Sequence, residues 1–320
     1  MSVSIDVQTV TDGNSQISVG GVCDGGGASR SRLLEASIAM VEDVRGPVVG
    51  PRRSPENFSA DFQVCLPYRG LFVWHVADNA VVGDANQVLF VSGGESYFLS
   101  QPVAGNYAEL IITPDLELLT ELAHDGGSLT VHPLFRRRSR RVDLDLQHLR
   151  TRFLHHLVCG EWSGMAAEEW VITLLRSALT ASAETREPSG RTRRVIGRTK
   201  QFLEAHLASP VRLIDVARAV GVSPAYLTDL FRRVEGIPLH GYLTQLRLAR
   251  ALLELPNAAD LTTLALALGF SSHSHFTAAF RRGFGCTPSE FRESARRTLN
   301  RQPQRLVSGF KQPWSSSQRA

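Results

Sequence analysis

Apolar and polar positions along this chain follow two different rhythms. From about Ser31 to Thr113 the apolar runs are short, aromatic and β-branched: LFVWHV (71–76), QVLFVS (87–92) and AELIIT (108–113). Turn residues separate them at Pro67, Asp78-Asn79, Gly83-Asp84, Gly93-Gly94 and Gly105-Asn106, and the last run stops at Pro114. Short strands spaced roughly 10–18 residues apart, with such turns between them, predict an antiparallel barrel or sandwich. Before this region, residues 1–30 are polar and glycine-rich, and Gly20, Gly21, Gly25, Gly26 and Gly27 predict a flexible segment without a regular element.

After Pro114 the period lengthens to that of a helix. DLELLTELAHDG (115–126), VDLDLQHLRTRFLHHLVCG (142–160) and AAEEWVITLLRSALTASA (166–183) read as three helices. Their apolar residues, among them Leu146, Leu149, Phe153, Leu157, Trp170, Ile172, Leu174 and Leu175, exceed what covering a small barrel needs. That surplus predicts a symmetric homodimer; the competing expectation is that these helices complete the core of their own domain. AETREPSGRT (183–192) has no apolar period and reads as a linker, and the polar residues 299–320 read as a disordered tail. The predicted organisation is therefore a regulatory domain over 31–182, a linker over 183–192 and an all-helical domain over 193–298.

The helical domain is strongly punctuated. Helices over 192–209 and 212–221 are followed by Ser223-Pro224, an N-cap with proline at the first helical position. The next helix closes at Gly236, a longer one runs from Pro238 to about Leu255, and further helices span 261–269, 272–285 and the stretch after Thr287-Pro288. Two of these segments share one plan. LIDVARAVGVSPAYLTDLFRRVEG and LTTLALALGFSSHSHFTAAFRRGFG each hold a short helix ending in glycine, a turn, and a Ser-capped helix ending in Phe-Arg-Arg. With Gly221 set against Gly269, Val222 falls on Phe270 and Phe231 on Phe280, after one inserted residue that places Leu227 on His275 or Phe276. This is a repeated helix-turn-helix unit. The second helix of such a unit fits the major groove, where each base pair presents its own donor and acceptor pattern.

Charge sharpens that reading. The 320 residues carry a net charge of +4, but residues 1–190 hold 15 Arg against 23 Asp and Glu, while residues 191–300 hold 16 Arg and Lys against 8 acids. Basic charge gathered in one domain attracts polyanions.

Over residues 191–300 the chain resembles the DNA-binding domain of AraC/XylS-type transcriptional regulators. The resemblance is carried by Ala217, Gly221, Ser223, Leu227, Phe231, Gly236, Arg247, Ala251, Leu253, Ala265, Gly269-Phe270, Phe276, Phe280, Gly285, Pro288 and Phe291-Arg292. It implies seven helices and two recognition helices joined by the helix over 239–255, which at about 1.5 Å per residue is about 25 Å long and suits successive major grooves. Carried over by position, the DNA-contacting residues are Ala225, Tyr226, Thr228, Asp229, Arg232 and Arg233 in the first unit. In the second they are His273, Ser274, Thr277, Ala278, Arg281 and Arg282. Ala225 and Ala278 stand where long polar side chains are frequent in the family, so readout is expected mainly through Thr228, Asp229, Arg232, His273 and Ser274, with the terminal arginines on phosphates. The N-terminal half resembles, more loosely, the cupin-like regulatory domain of the same family. The fold class implied is multidomain α+β: a cupin-like antiparallel β-barrel with following helices, then an all-α domain with two helix-turn-helix units.

The resemblance implies a transcription regulator with double-stranded promoter DNA and RNA polymerase as partners, a possible small-molecule effector, and a homodimer. Activation and repression both stay open. No apolar run approaches a membrane span, and the N-terminus lacks a signal-peptide pattern, so a cytoplasmic protein is expected. Cys23, Cys65, Cys159 and Cys286 are far apart and form no CxxC, which argues against a disulfide scaffold or a cysteine-only zinc site. His75 is the lone histidine of the strand region, and His155 with Cys159 on one helix makes only two ligands, so neither a metal nor another cofactor is expected. No phosphate loop or nucleophile elbow appears. The rival of another class is a catalytic cupin fused to a DNA-binding module, which bound-metal analysis would reveal; a third reading is a ligand-independent regulator whose N-terminal half serves only protein contacts. The basic run Arg136-Arg137-Arg138-Ser139-Arg140-Arg141 is read as a solvated linker between barrel and helices, with contact to DNA or to the other domain as the alternative.

Overall fold

A computed structural model of the chain describes residues 21–23, 28–46, 52–77, 79–125, 135, 137–159, 164–180 and 189–300. The N-terminal half is built from β1 (Gly21–Cys23), β2 (Ser29–Glu35), β3 (Ala39–Gly46), β4 (Asn57–Ser59), β5 (Gln63–Arg69), β6 (Phe72–Val76), β7 (Asn79–Gly83), β8 (Gln87–Val91), β9 (Glu95–Ser100) and β10 (Tyr107–Pro114), followed by α1 (Leu116–Asp125), β11 (Ser139–Arg141), α2 (Leu144–Cys159) and α3 (Gly164–Leu179). The strands form two antiparallel sheets, one of seven strands in the order β1-β2-β3-β10-β5-β8-β11 and one of four in the order β4-β9-β6-β7.

β10 shows why the architecture has three layers. Its alternate residues Ala108, Leu110 and Ile112 join one apolar cluster, with residues of α1, α2 and α3. Tyr107 and Ile111, on the opposite face, join Phe72, Trp74 and Val76 of the four-stranded sheet in another. A strand covered on both faces reads as a continuous apolar run, which is how AELIIT appears in the sequence. Glu109 interrupts that run, and its carboxyl is buried in the layer between the sheets.

The helices account for their own apolar residues. Leu146, Phe153, Leu157, Leu174 and Leu175 are buried in the cluster that seals the seven-stranded sheet, and Leu149, Trp170 and Ile172 pack against it. The expected surplus of apolar surface is therefore absent from these positions. The competing expectation, that the helices complete their own domain's core, explains them.

The C-terminal half contains α4 (Gly190–Ala205), α5 (Leu213–Val220), α6 (Pro224–Glu235), α7 (Leu239–Glu254), a 3-10 turn at Leu255–Asn257, α8 (Leu261–Ala267), α9 (His273–Phe284) and α10 (Pro288–Asn300). α7 is shared by two separate apolar clusters. Tyr242, Leu243, Leu246 and Ala249 belong to the first, with Leu227 and Phe231 of α6. Leu248, Ala251, Leu252 and the following Leu255 belong to the second, with Phe276 and Phe280 of α9.

Three boundaries differ from expectation. Residues 189–192, expected to be linker, start α4, because the Ser189 hydroxyl accepts a hydrogen bond from the Thr192 amide at 3.3 Å and caps the helix; residues 183–188 lie outside the described residues. Within the segment expected to lack regular structure, β1 pairs with the start of β2; residues 1–20 and 24–27 lie outside the described residues, as do residues 301–320 of the expected tail, whose first two residues, 299–300, end α10 instead. The described part of the basic run is also no solvated linker. Ser139, Arg140 and Arg141 pair with β8, Arg138 forms an ion pair with Glu95, and Arg140 donates to the Ser177 carbonyl. Arg136 lies outside the described residues.

Polar side chains join the two halves. Ala85 lies in the first α7 cluster, and beside it Asn86 Nδ2 donates to the Tyr242 carbonyl at 3.0 Å. The Tyr242 hydroxyl donates to the Asp84 carboxylate at 2.7 Å, and Gln87 Nε2 donates at 3.0 Å to Glu235, whose carboxylate also pairs with Lys200 of its own half at 2.9 Å. Burial pushes the Asp84 carboxyl above, and the Tyr242 hydroxyl well above, their ordinary values.

Candidate nucleic-acid interface

The two helix-turn-helix units agree at their glycine turns, serine caps and closing glycines. At the end of α5, Gly221 adopts φ 73°, and the Val222 amide donates to the Ala217 carbonyl at 3.1 Å. After α8, Gly269 adopts φ 82°, and the Phe270 amide donates to the Ala265 carbonyl at 3.0 Å. Both conformations lie in the left-handed region that glycine enters without a Cβ penalty, and both satisfy helix-end carbonyls. Ser223 Oγ then accepts from the Tyr226 amide at 3.2 Å, and Ser272 Oγ from the His275 amide at 3.1 Å. The recognition helices close alike, on Gly236 at φ 74° and Gly285 at φ 74°. This register places Leu227 on Phe276, both fully buried, and settles the open alignment in favour of Phe276 over the exposed His275.

What the interior does not use faces out. Ala225, Tyr226, Thr228, Asp229, Arg232 and Arg233 are all exposed on α6. On α9, His273, Ser274, Ala278, Arg281 and Arg282 are exposed. Thr277 is the exception: it is half-buried, and its hydroxyl is buried without a hydrogen-bond partner. The Thr228 hydroxyl donates to the Pro224 carbonyl one turn back at 2.9 Å, which leaves its lone pairs for an incoming donor. His275 forms a 3.0 Å hydrogen bond with Ser271 Oγ and sets its ring edge-on to Phe270, so it serves the turn.

Part of the domain's basic charge is consumed internally. Lys200 is buried on Glu235, and Arg247 donates to the Leu207 and Ser209 carbonyls at 2.9 and 2.8 Å. Arg292 and Arg296 donate to carbonyls of residues 256–259. These four cations hold the fold, and sequence reading alone counted them with the rest. The exposed pairs Arg232-Arg233 and Arg281-Arg282, at equivalent ends of the two recognition helices, are available to a polyanion.

Other candidates fare differently. His75 forms a 2.8 Å hydrogen bond with Ser100 Oγ, and among the described residues no three His, Cys, Asp or Glu side chains gather as a metal site. Burial pushes the Cys65 thiol well above its ordinary value, which suppresses its reactive thiolate form. The side chains of Cys23 and Cys159 lie outside the described residues. No described helix is long and apolar enough to cross a membrane.

Comparison with known proteins returns the same region. Residues 216–294 match a family model described as a helix-turn-helix domain. The transcriptional regulator ExsA of Pseudomonas aeruginosa is 34% identical over 101 residues, 31% of this chain and 36% of that protein. The regulatory protein SoxS of Salmonella typhimurium is 34% identical over 93 residues, which are 29% of this chain and 87% of that protein. A solved structure of a transcriptional regulator with an AraC-type DNA-binding domain, from Chromobacterium violaceum, is 33% identical, covering 32% of this chain and 91% of that one, with a TM-score of 0.30. The chain thus spans nearly all of SoxS but only about a third of ExsA.

Proposed function

The chain belongs to the AraC/XylS-type family of helix-turn-helix transcriptional regulators, and from that premise we propose that it binds promoter DNA sequence-specifically through both units and regulates transcription there. The observation that carries the proposal is the repeated geometry: two recognition helices, capped and closed alike, each presenting an exposed polar face that ends in two arginines. Arg233, Arg281 and Arg282 contact phosphates, while Thr228, Asp229, Arg232, His273 and Ser274 read base edges and Ala225, Tyr226 and Ala278 line the groove. Thr277, turned partly inward, supports its helix more than it reads.

Titration of the full chain against promoter fragments tests this. Affinity is expected to fall steeply with salt, because arginines at phosphates release counterions. Arg281→Ala or Arg282→Ala is expected to weaken binding to all sequences alike; an altered base preference would mean that they read bases instead. Selection from random DNA tests the reading faces. Thr228→Ala and Asp229→Ala are expected to relax preference in one half-site and His273→Ala in the other, each by roughly 1–3 kcal/mol. An unchanged selected sequence for all three variants would defeat the assignment.

RNA polymerase, a cytoplasmic location and a homodimer belong to the same proposal. Coupling two DNA-binding domains raises avidity through effective concentration. Support for a contact between copies comes from the exposed apolar residues Leu116 on α1 and Met165 on α3, at 57% and 72% exposure, since the buried faces of α2 and α3 are already used. A small-molecule effector is proposed for the cleft of about 360 Å³ between the halves, where Arg69 of β5 and Gln101, just after β9, face Glu204 and Arg250 of the helices. Burial pushes the Glu204 carboxyl up to about 7.

A further inference from the structure

One short segment of the N-terminal half touches both recognition helices, and it does so at equivalent positions of the repeat. Counting from the caps Ser223 and Ser272, Glu235 and Phe284 are the last residues of α6 and α9. Arg141, at the end of β11, donates from Nε to the Glu235 carbonyl at 2.8 Å and from Nη1 to Gln245 Oε1 of α7 at 3.3 Å. A helix leaves its last carbonyls without intrahelical partners and carries a partial negative charge there, so a guanidinium is a fitting cap. Seven residues on, His148 of α2 lays its ring against Phe284, with centroids 5.5 Å apart. Between them Leu144 meets α9 so closely that a Cβ added at Gly283 would lie 2.9 Å from Leu144 Cδ1. An alanine at 283 would have to displace the tip of the Leu144 side chain.

The contact matters because the two units have separate apolar cores that share only α7. The N-terminal half completes both: Ala85 lies within the first core and Leu144 packs on the second. We propose that Arg141, Leu144 and His148 form a strut that sets the relative disposition of the two recognition helices, and thereby the half-site spacing that the full chain accepts. These are positioning residues, acting on DNA through α6 and α9. The inference rests on the DNA-binding reading above, and it makes the N-terminal half a determinant of which sites are bound, independently of any base contact.

Two measurements on the full chain test it. In the first, spin labels carried by unnatural amino acids at positions 226 and 278 report the distance between the recognition helices without DNA. Combined Arg141→Ala, Leu144→Ala and His148→Ala substitutions are expected to shift or broaden a distance distribution that is narrow in the parent. In the second, both proteins bind the selected site and the same site with one base pair inserted between its halves. The insertion rotates one half-site by about a tenth of a helical turn. It is expected to weaken the parent by about tenfold or more, comparable to one mismatched base pair, and the triple variant by clearly less. A change in spacing preference is something that mere loss of stability would not produce. If the triple variant fails to fold, Arg141→Ala alone keeps the apolar contacts and is read in the same way. Identical distances and an identical insertion penalty in a folded variant would overturn the strut. A parent that bound no DNA at all would instead overturn the proposed function, and the distance measurement would still judge the strut.

Discussion

Phe276→Ala is expected to cost about 3–5 kcal/mol and to dissolve the second helix-turn-helix unit. Phe276 is fully buried, with its ring 5.1 Å from that of Phe270 and 5.7 Å from that of Phe280. The aromatic series continues through Phe284 and Phe291, so the cavity would open in the middle of a chain of ring contacts rather than at its edge. The two units have separate cores, so the loss is expected to be local. Footprinting is expected to show protection retained over the half-site bound by α6 and lost over the half-site bound by α9. Urea unfolding would show a reduced midpoint or a new early transition. A variant that unfolds at the parent's midpoint and protects both half-sites would refute this account of the second core.

Glu109→Gln is expected to stabilise the N-terminal half above neutral pH, by roughly 3 kcal/mol. Glu109 lies at 6% exposure between the two sheets, and burial pushes its carboxyl up to about 7, a rise that the Arg30 charge only partly opposes. The folded state therefore holds the Glu109 proton more tightly than the unfolded chain, where the carboxyl titrates near 4.5. Below pH 4.5 the group is neutral in both states and costs nothing through its charge. As pH rises from about 4.5 to about 7, the unfolded chain ionises while the folded state keeps its proton, so stability is lost; above 7 folding must bury a carboxylate and the loss is complete. The substitution removes that loss at pH 8 and changes little at pH 4.5. Urea unfolding of both proteins at the two pH values checks it; an equal difference at both would show that the carboxyl is not titrating in this window.

The C-terminal domain was written locally. Serine caps, glycines with positive φ and the helical period are properties of a few adjacent residues, and the helix boundaries from α5 to α9 follow them within a few residues. The exposed faces of α6 and α9 follow too, because a buried Leu227 or Phe276 fixes by the helical period which neighbours look outward. Composition supplied the charge asymmetry. In the N-terminal half the three most apolar strands, β6, β8 and β10, were legible, whereas β2, β3, β7 and β9 carry mixed sequences whose strand state comes from pairing with partners far along the chain. Tertiary structure alone decided the rest. It turned Lys200, Arg247, Arg292 and Arg296 from apparent DNA-facing charge into internal ties, because a cation's partner is a carbonyl or carboxylate brought near by folding. It moved the apolar residues of α2 and α3 from an expected surface into a core, because no local pattern tells which apolar face meets its own sheet. And it set Arg141 against Glu235 and Leu144 against Gly283, across 94 residues in the first case, where only the packing of one half on the other creates the contact.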